Sequence, residues 1–370
     1  MPHYESKPRR RLWPVLVPFV AMVVLAVAWT GFWFSATSVA ETAIAGWRER
    51  ESRSGRDYAC SRQTVGGFPF RIEVRCADPD ISIRRPDLKL KAADLVVLAQ
   101  VYDPTLLIAE VKAPMSVADS GQEFVAGWKL AQASLRGTPR APERVSIVLE
   151  DPTVDHRRGN GLARQFKAAH VELHGRIAAG SVTNNPVIDV ALLMAAAVAP
   201  ELHAAMASPL DVDITATLRG LADFAPKPWP ARLKELQSRD GKIEISKARL
   251  QQGDVIASSS GTLGLTARGN LDGQLEITVV NLDKAVKALD IERLMQDGNI
   301  GAQVDKLDRI IPGLSRLARQ NAAPGAVAAL NALGKRTTLE GKQATTLPLR
   351  FSDGQVLLGP IPIGRVPPLF

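Results

Sequence analysis

The sequence predicts a mainly β chain of the α+β class. An N-terminal transmembrane helix leads into a long curved antiparallel sheet with one apolar face, and amphipathic helices pack toward its C-terminal part. Three observations predict this. No charged residue occurs from Leu12 to Phe34. An alternation of apolar and polar residues with period two recurs down most of the chain, as half-buried strands require. Between residues 283 and 333 the apolar spacing lengthens toward 3.6, the period of an amphipathic helix. With 370 residues, 46% of them hydrophobic, the chain has ample material for a core and is not a disordered polymer.

The charge-free run measures about 34 Å as a helix, enough to cross a hydrocarbon layer of about 30 Å. Trp13 stands at one end and Trp29, Phe32, Trp33 and Phe34 at the other, matching the preference of aromatic rings for both headgroup zones. Pro14 falls in the first turn, where a missing N–H costs little, and Pro18 is placed to kink the helix. Arg9, Arg10 and Arg11 precede the span. Cationic flanks stay cytoplasmic, so residues 1–11 read as a cytoplasmic basic tail and 12–34 as the span. Residues 35–370 then read as the extracytoplasmic, periplasmic body of an inner-membrane protein, with two candidate subregions near 41–225 and 226–370. A cleaved signal peptide is the rival reading, since Ser35 to Ala40 are small enough for a peptidase. Signal cores run only about 7–15 residues, which favours the anchor. Ala191 to Ala199 is apolar but short, and Pro200 ends it.

The formal net charge is +8. Lys7, Arg9, Arg10 and Arg11 against Glu5 place +3 of it in the tail, leaving a mild +5 over the rest. That suits an anionic membrane surface. Nucleic acid is not an expected partner, because no dense cationic patch carries interleaved aromatics. The two cysteines, Cys60 and Cys76, both follow the span. They read either as independent buried thiols or as a bridge. The oxidising compartment implied by the topology favours the bridge, worth on the order of 3 kcal/mol for a loop of about 17 residues.

After the span, Glu41 to Arg56 has Ala43, Ile44 and Trp47 at helical spacing, so a helix should leave the membrane. Gly66-Gly67 supplies a turn, Pro69 holds Phe68 extended, and Phe70 to Cys76 alternates as a strand. Val145/Ile147/Leu149, Val171/Leu173/Ile177, Leu210/Val212/Ile214/Ala216/Leu218, Ile243/Ile245 and Leu275/Ile277/Val279 each share a face. Asp103-Pro104, Asp151-Pro152 and Asp272-Gly273 read as turns. Short helices are expected over 230–237, 283–296, 304–318 and 326–333. Leu347, Leu349 and Phe351 return to period two, and a proline-rich segment ends the chain.

Catalytic chemistry finds little footing. His170 and His174 lie about 13 Å apart on a strand, too far for one metal ion, and read as solvated strand residues. Asp155-His156 reads as an exposed turn. Gly253-Asp254, Ser258 to Ser260 and Gly261 to Gly264 read as loops and turns rather than phosphate cradles. No nucleotide fingerprint or nucleophile elbow occurs. The expectation is therefore a non-enzyme with no catalytic residue, no metal site and no cofactor.

Three segments carry a family resemblance. The basic tail and span come with Gly67-Phe68-Pro69-Phe70-Arg71 between the two cysteines. Leu271 to Leu275 leads through Val279-Val280-Asn281-Leu282-Asp283 into a helix. Leu347-Pro348-Leu349 to Gly359-Pro360-Ile361 closes the chain. Together they resemble the domain-of-unknown-function family 2125 of bacterial envelope proteins over nearly the full length. More distantly the chain is similar to AsmA-like proteins, a likeness that implies a membrane-anchored, β-rich body with an apolar groove linked to lipid transport. Two functions follow as expectations. In one, the apolar face carries lipid, with Val212, Ile214, Ile277 and Val279 as candidate lipid-facing residues. In the other, the body is a structural or assembly factor that binds other envelope proteins.

Overall fold

The computed structural model describes residues 13–84, 87–119, 121–138, 141–159, 161–225, 227–288, 330–331, 334–359 and 361–370. The tail with Arg9, Arg10 and Arg11 lies outside these, as do most of the residues expected to be helical between 289 and 333.

Helix α1, Trp13–Arg53, is continuous through Pro18. The expected span and the helix expected to leave it are thus one element. It is long and apolar enough to cross a membrane. Twenty-one strands follow among the described residues. They are β1 Arg56–Ala59, β2 Arg62–Gly66, β3 Arg71–Ala77, β4 Asp80–Ile83, β5 Leu88–Gln100, β6 Asp103–Asp119 and β7 Gln122–Gly127. Next come β8 Leu130–Thr138, β9 Ala141–Glu150, β10 Thr153–Arg158, β11 Gly161–Lys167, β12 His170–Ser181, β13 Asn184–Ala197 and β14 Leu210–Arg219. The last are β15 Lys242–Gln252, β16 Val255–Leu265, β17 Leu271–Val280, β18 Lys335–Leu339, β19 Lys342–Ser352, β20 Gln355–Leu358 and β21 Ile361–Arg365. Helix α2, Trp229–Ser238, precedes β15, and α3, Leu282–Ala288, follows β17.

All strand pairs are antiparallel, and they join into one open, curved sheet. Its main path runs β2-β3-β5-β6-β8-β9-β12-β13-β14-β15-β16-β17-β19-β20-β21. The long β5–β6 hairpin also supports a branch. β4 shares the outer edge of β5 with β3, and β7 shares the outer edge of β6 with β8. β1 extends the branch from β4, and β10 and β11 extend it from β7. The fork falls where the pairing slips between Ala92 and Asp94, so that Ala93 faces both Ala113 and Pro114. A bulge bends a strand and sharpens its twist, and Pro114 has no N–H for a ladder; both suit a point where two branches of the sheet part. The disulfide Cys60–Cys76, Cα atoms 5.3 Å apart, ties the β1–β2 link to β3 beside this fork.

Several local readings change. Asp155-His156 lies within β10, not in a turn, with His156 stacked on Phe124 at 4.8 Å. Ser258 to Ser260 and Gly261 to Gly264 are interior to β16, and Asp272-Gly273 is interior to β17. The turn between those strands is Thr266 to Asn270, closed by the Thr266 N–H to the Asn270 carbonyl at 2.9 Å. Glycine serves close approach here rather than reversal: a Cβ at Gly273 would stand 2.2 Å from the Thr262 carbonyl oxygen. The proline-rich end contributes β21 over Ile361–Arg365 and is irregular from Val366 on.

Candidate functional site

Register, more than any single residue, makes the most distinctive surface. Starting at Val65 on β2, the cross-strand partners run Val74, Val97, Ala109, Ala133, Ile147 and Leu173. They continue Leu192, Ile214, Ala248, Ser259, Ile277 and Leu347. Ser259 is the single polar member. At about 4.8 Å per strand this row is roughly 58 Å long, measured along the curve. A second row on the same face starts at Ile72 and passes Ala99, Leu107, Leu135, Val145, Gly175 and Val190. It ends through Ala216, Ile245, Gly261, Leu275, Leu349 and Leu358, with no polar side chain at all.

The four candidate lipid-facing residues sit on this face. Ile214 and Ile277 belong to the first row; Val212 and Val279 lie two residues along their strands, on the side of that row away from the second. Cover differs along it. Val279 is buried with Leu282 and Val286 of α3 and with Leu330, Leu347 and Leu358, and Ile277 packs against that cluster. At a middle edge, Leu236 of α2 closes over Ile188 and Leu221. Elsewhere the described residues leave the face partly bare: Val145 is 36% exposed, Leu173 40%, Ile243 40% and Leu250 39%. A cavity of about 300 Å³ opens on it, lined by Pro142, Val145, Gly175, Ile177, Ile188 and Phe224 with the stems of neighbouring charged residues.

The opposite face is polar and ion-paired. Arg176 meets Asp189 at 2.8 Å, and Lys247 meets Asp213 at 2.5 Å. The Thr217 hydroxyl and Arg176 hold the Asp189 carboxyl below its ordinary range. Glu172 stands between His170 and His174 and accepts from their Nε2 atoms at 2.7 and 2.8 Å, while His170 Nδ1 meets Glu150 at 2.8 Å. Both ring nitrogens of His170 thus face carboxylates, an arrangement that wants two ring protons. The hydrogen bond to Glu172 raises the His170 pKa, and the bonds from His174 and His170 lower that of Glu172. Among the described residues no group of three or more His, Cys, Asp or Glu is arranged to hold a metal ion.

The Gly67-Phe68-Pro69-Phe70 segment lies against α1. Trp29 Nε1 donates to the Pro69 carbonyl at 2.9 Å, and Trp33 Nε1 donates to the Arg71 carbonyl at 3.0 Å. Phe68 meets Trp33 edge-on at 5.4 Å, and Phe70 lies 6.2 Å from Trp29. Trp33 is therefore buried, at 6% exposure, while Trp13 and Phe34 are exposed. The sequence marked these tryptophans as interfacial anchors and the Phe-Pro-Phe segment as a family feature, but not their contact. The paired aromatics on both sides were the available signal.

No curated protein matches the chain. The model of one family, described as "Uncharacterized protein conserved in bacteria (DUF2125)", matches residues 33–367, from the buried Trp33 through β21. With the sheet and the end of α1 both inside that match, the chain belongs to the DUF2125 family.

Proposed function

We propose that the protein is a membrane-anchored lipid-handling body of the bacterial envelope. In this reading α1 holds it in the inner membrane with the sheet on the periplasmic side, and the apolar face accepts acyl chains along its length. The observation that carries it is the pair of apolar rows running through register from β2–β3 to β19–β20. An apolar face of that extent must be covered by protein or by apolar ligand, and its middle strands keep exposed leucine, isoleucine and valine among the described residues. The looser likeness to AsmA-like proteins, read from sequence alone, points the same way.

Photo-crosslinking in living cells tests it. A photoreactive amino acid at Leu173, on the apolar face, should yield an adduct that carries lipid phosphate; one at Glu172, on the polar face, should not. Adducts to protein at Leu173, with no lipid, would replace this reading with that of an assembly factor binding envelope proteins.

A further inference from the structure

The Gly67–Phe70 turn packs against α1 beside Trp29 and Trp33. Along α1, Trp13 and Trp33 are separated by about 30 Å of helix, the thickness of a hydrocarbon layer, and Trp29 lies about 6 Å further in than Trp33. Phe68 packs at the level of Trp33 and Phe70 at the level of Trp29. The turn therefore descends toward the hydrocarbon as it passes from Phe68 to Phe70. Both rings nevertheless keep large free surfaces, with Phe68 53% and Phe70 63% exposed. Tyr102 is exposed on the adjoining β5–β6 turn, where the Val101 N–H donates to the Phe70 carbonyl at 3.0 Å.

Much of the turn's backbone is paired within the protein. Four carbonyls of this short segment are bonded: Gly67 accepts from the Arg71 N–H at 3.1 Å, Phe70 from Val101, and Pro69 and Arg71 from the two tryptophan rings. Pro69 has no N–H to satisfy. Pairing of this kind lowers the cost of irregular backbone near the hydrocarbon. Arg71, paired with Glu73 at 3.1 Å, returns the chain to charge at once, so the apolar dip is confined to the turn.

We infer that the Phe68-Pro69-Phe70 turn inserts into the headgroup–acyl boundary of the membrane that α1 crosses. The sheet is thereby fixed with the first strands of its apolar face, at Ile72 and Val74, beside that leaflet. The inference rests on α1 being a membrane anchor and does not require that the face carry lipid.

Nitroxide labels on the full chain in phosphatidylethanolamine–phosphatidylglycerol vesicles test it. Single variants Phe70→Cys, Phe68→Cys, Leu25→Cys and Leu202→Cys accept the label, because Cys60 and Cys76 are already bonded. The label at Leu25 should be more accessible to oxygen than to a water-soluble nickel chelate, and the label at Leu202 the reverse. The label at Phe70 should follow Leu25, with Phe68 less deep. If Leu25 reports hydrocarbon while Phe70 and Phe68 both behave as Leu202, the turn does not insert, though the anchor stands. If Leu25 itself behaves as Leu202, the anchor reading fails and this inference with it.

Discussion

The two halves of the apolar face share residue types and the same two rows of cross-strand partners yet meet different surroundings. Around β17 and β19, helix α3 and Leu330 bury the rows: Val286 is 0% exposed and Leu347 1%. Around β9 and β12 the same rows pass through Val145 and Leu173, which retain more than a third of their surface. Alternation thus decides which side of a sheet is apolar; what closes that side comes from other elements, here α3 and Leu330. One half is a conventional core, and among the described residues the other is a surface with the composition of a core.

Truncation should separate the halves most sharply. Leu347→Ala removes a side chain packed on all sides and should cost about 2–5 kcal/mol, the range for buried leucine. Leu173→Ala removes one already partly in water and should cost under about 1 kcal/mol. Chemical denaturation of the two variants beside the parent chain provides the comparison. Equal losses would mean that β12 is as closed as β19, and the lipid-handling reading would lose its surface.

A subtler test uses two glycines of one row. A Cβ at Gly261 would sit 2.2 Å from the Gln274 carbonyl oxygen and 2.9 Å from the Leu275 Cα, and its φ is +147°. Gly175, in the same row, has nothing within 4 Å of such a Cβ. Gly261→Ala should therefore destabilise by about 1–3 kcal/mol through overpacking against the neighbouring strand. Gly175→Ala should stay within about 0.5 kcal/mol. Thermal melts of the pair are sufficient; a neutral Gly261→Ala would mean that β16 and β17 part more easily than their ladder implies.

These glycines also mark what sequence can carry. Period-two alternation revealed the strand at Leu210–Arg219 and placed Val212 and Ile214 on one face, because a side chain's facing is a local property. The same local logic misplaced Gly261 and Gly273, since a glycine that makes a turn and one that admits a neighbouring strand look alike without knowledge of the partner. Asp155-His156 reads as a turn for a related reason: a strand flanked by arginine and glycine has the composition of a loop. The rows themselves were out of reach, because register joins residues hundreds of positions apart, as Val65 and Leu347 are. The contact of Trp29 and Trp33 with the Phe-Pro-Phe turn likewise needed the fold, although both aromatic groups were visible in the sequence.

The polar face offers the smallest effect, and one with a definite sign. His170 has a raised pKa, chiefly through its hydrogen bond to Glu172. Its contribution to stability is therefore complete below the unfolded histidine value of about 6.5 and is lost as pH rises through the higher folded value. Glu172 has a lowered pKa, chiefly through His174 and then His170. Its contribution is present above the unfolded value of about 4.3 and is lost as pH falls through the lower folded value. Both conditions hold together between roughly pH 4.5 and 6.5. Glu172→Gln keeps the shape of the side chain but removes its charge, so the stability difference from the parent should be greatest in that window and should shrink toward either side. Solvent screens the ladder, since the Glu172 side chain is 33% exposed and that of His174 41%, so the maximum difference should stay below about 1 kcal/mol. Denaturation midpoints across the pH range would reveal it; a difference that grew steadily up to pH 9 would show that His170 does not hold its extra proton through these carboxylates. Because the ladder lies on the face opposite the apolar rows, Glu172→Gln should leave lipid adducts at Leu173 unchanged, which separates loss of charge pairing from loss of the apolar surface.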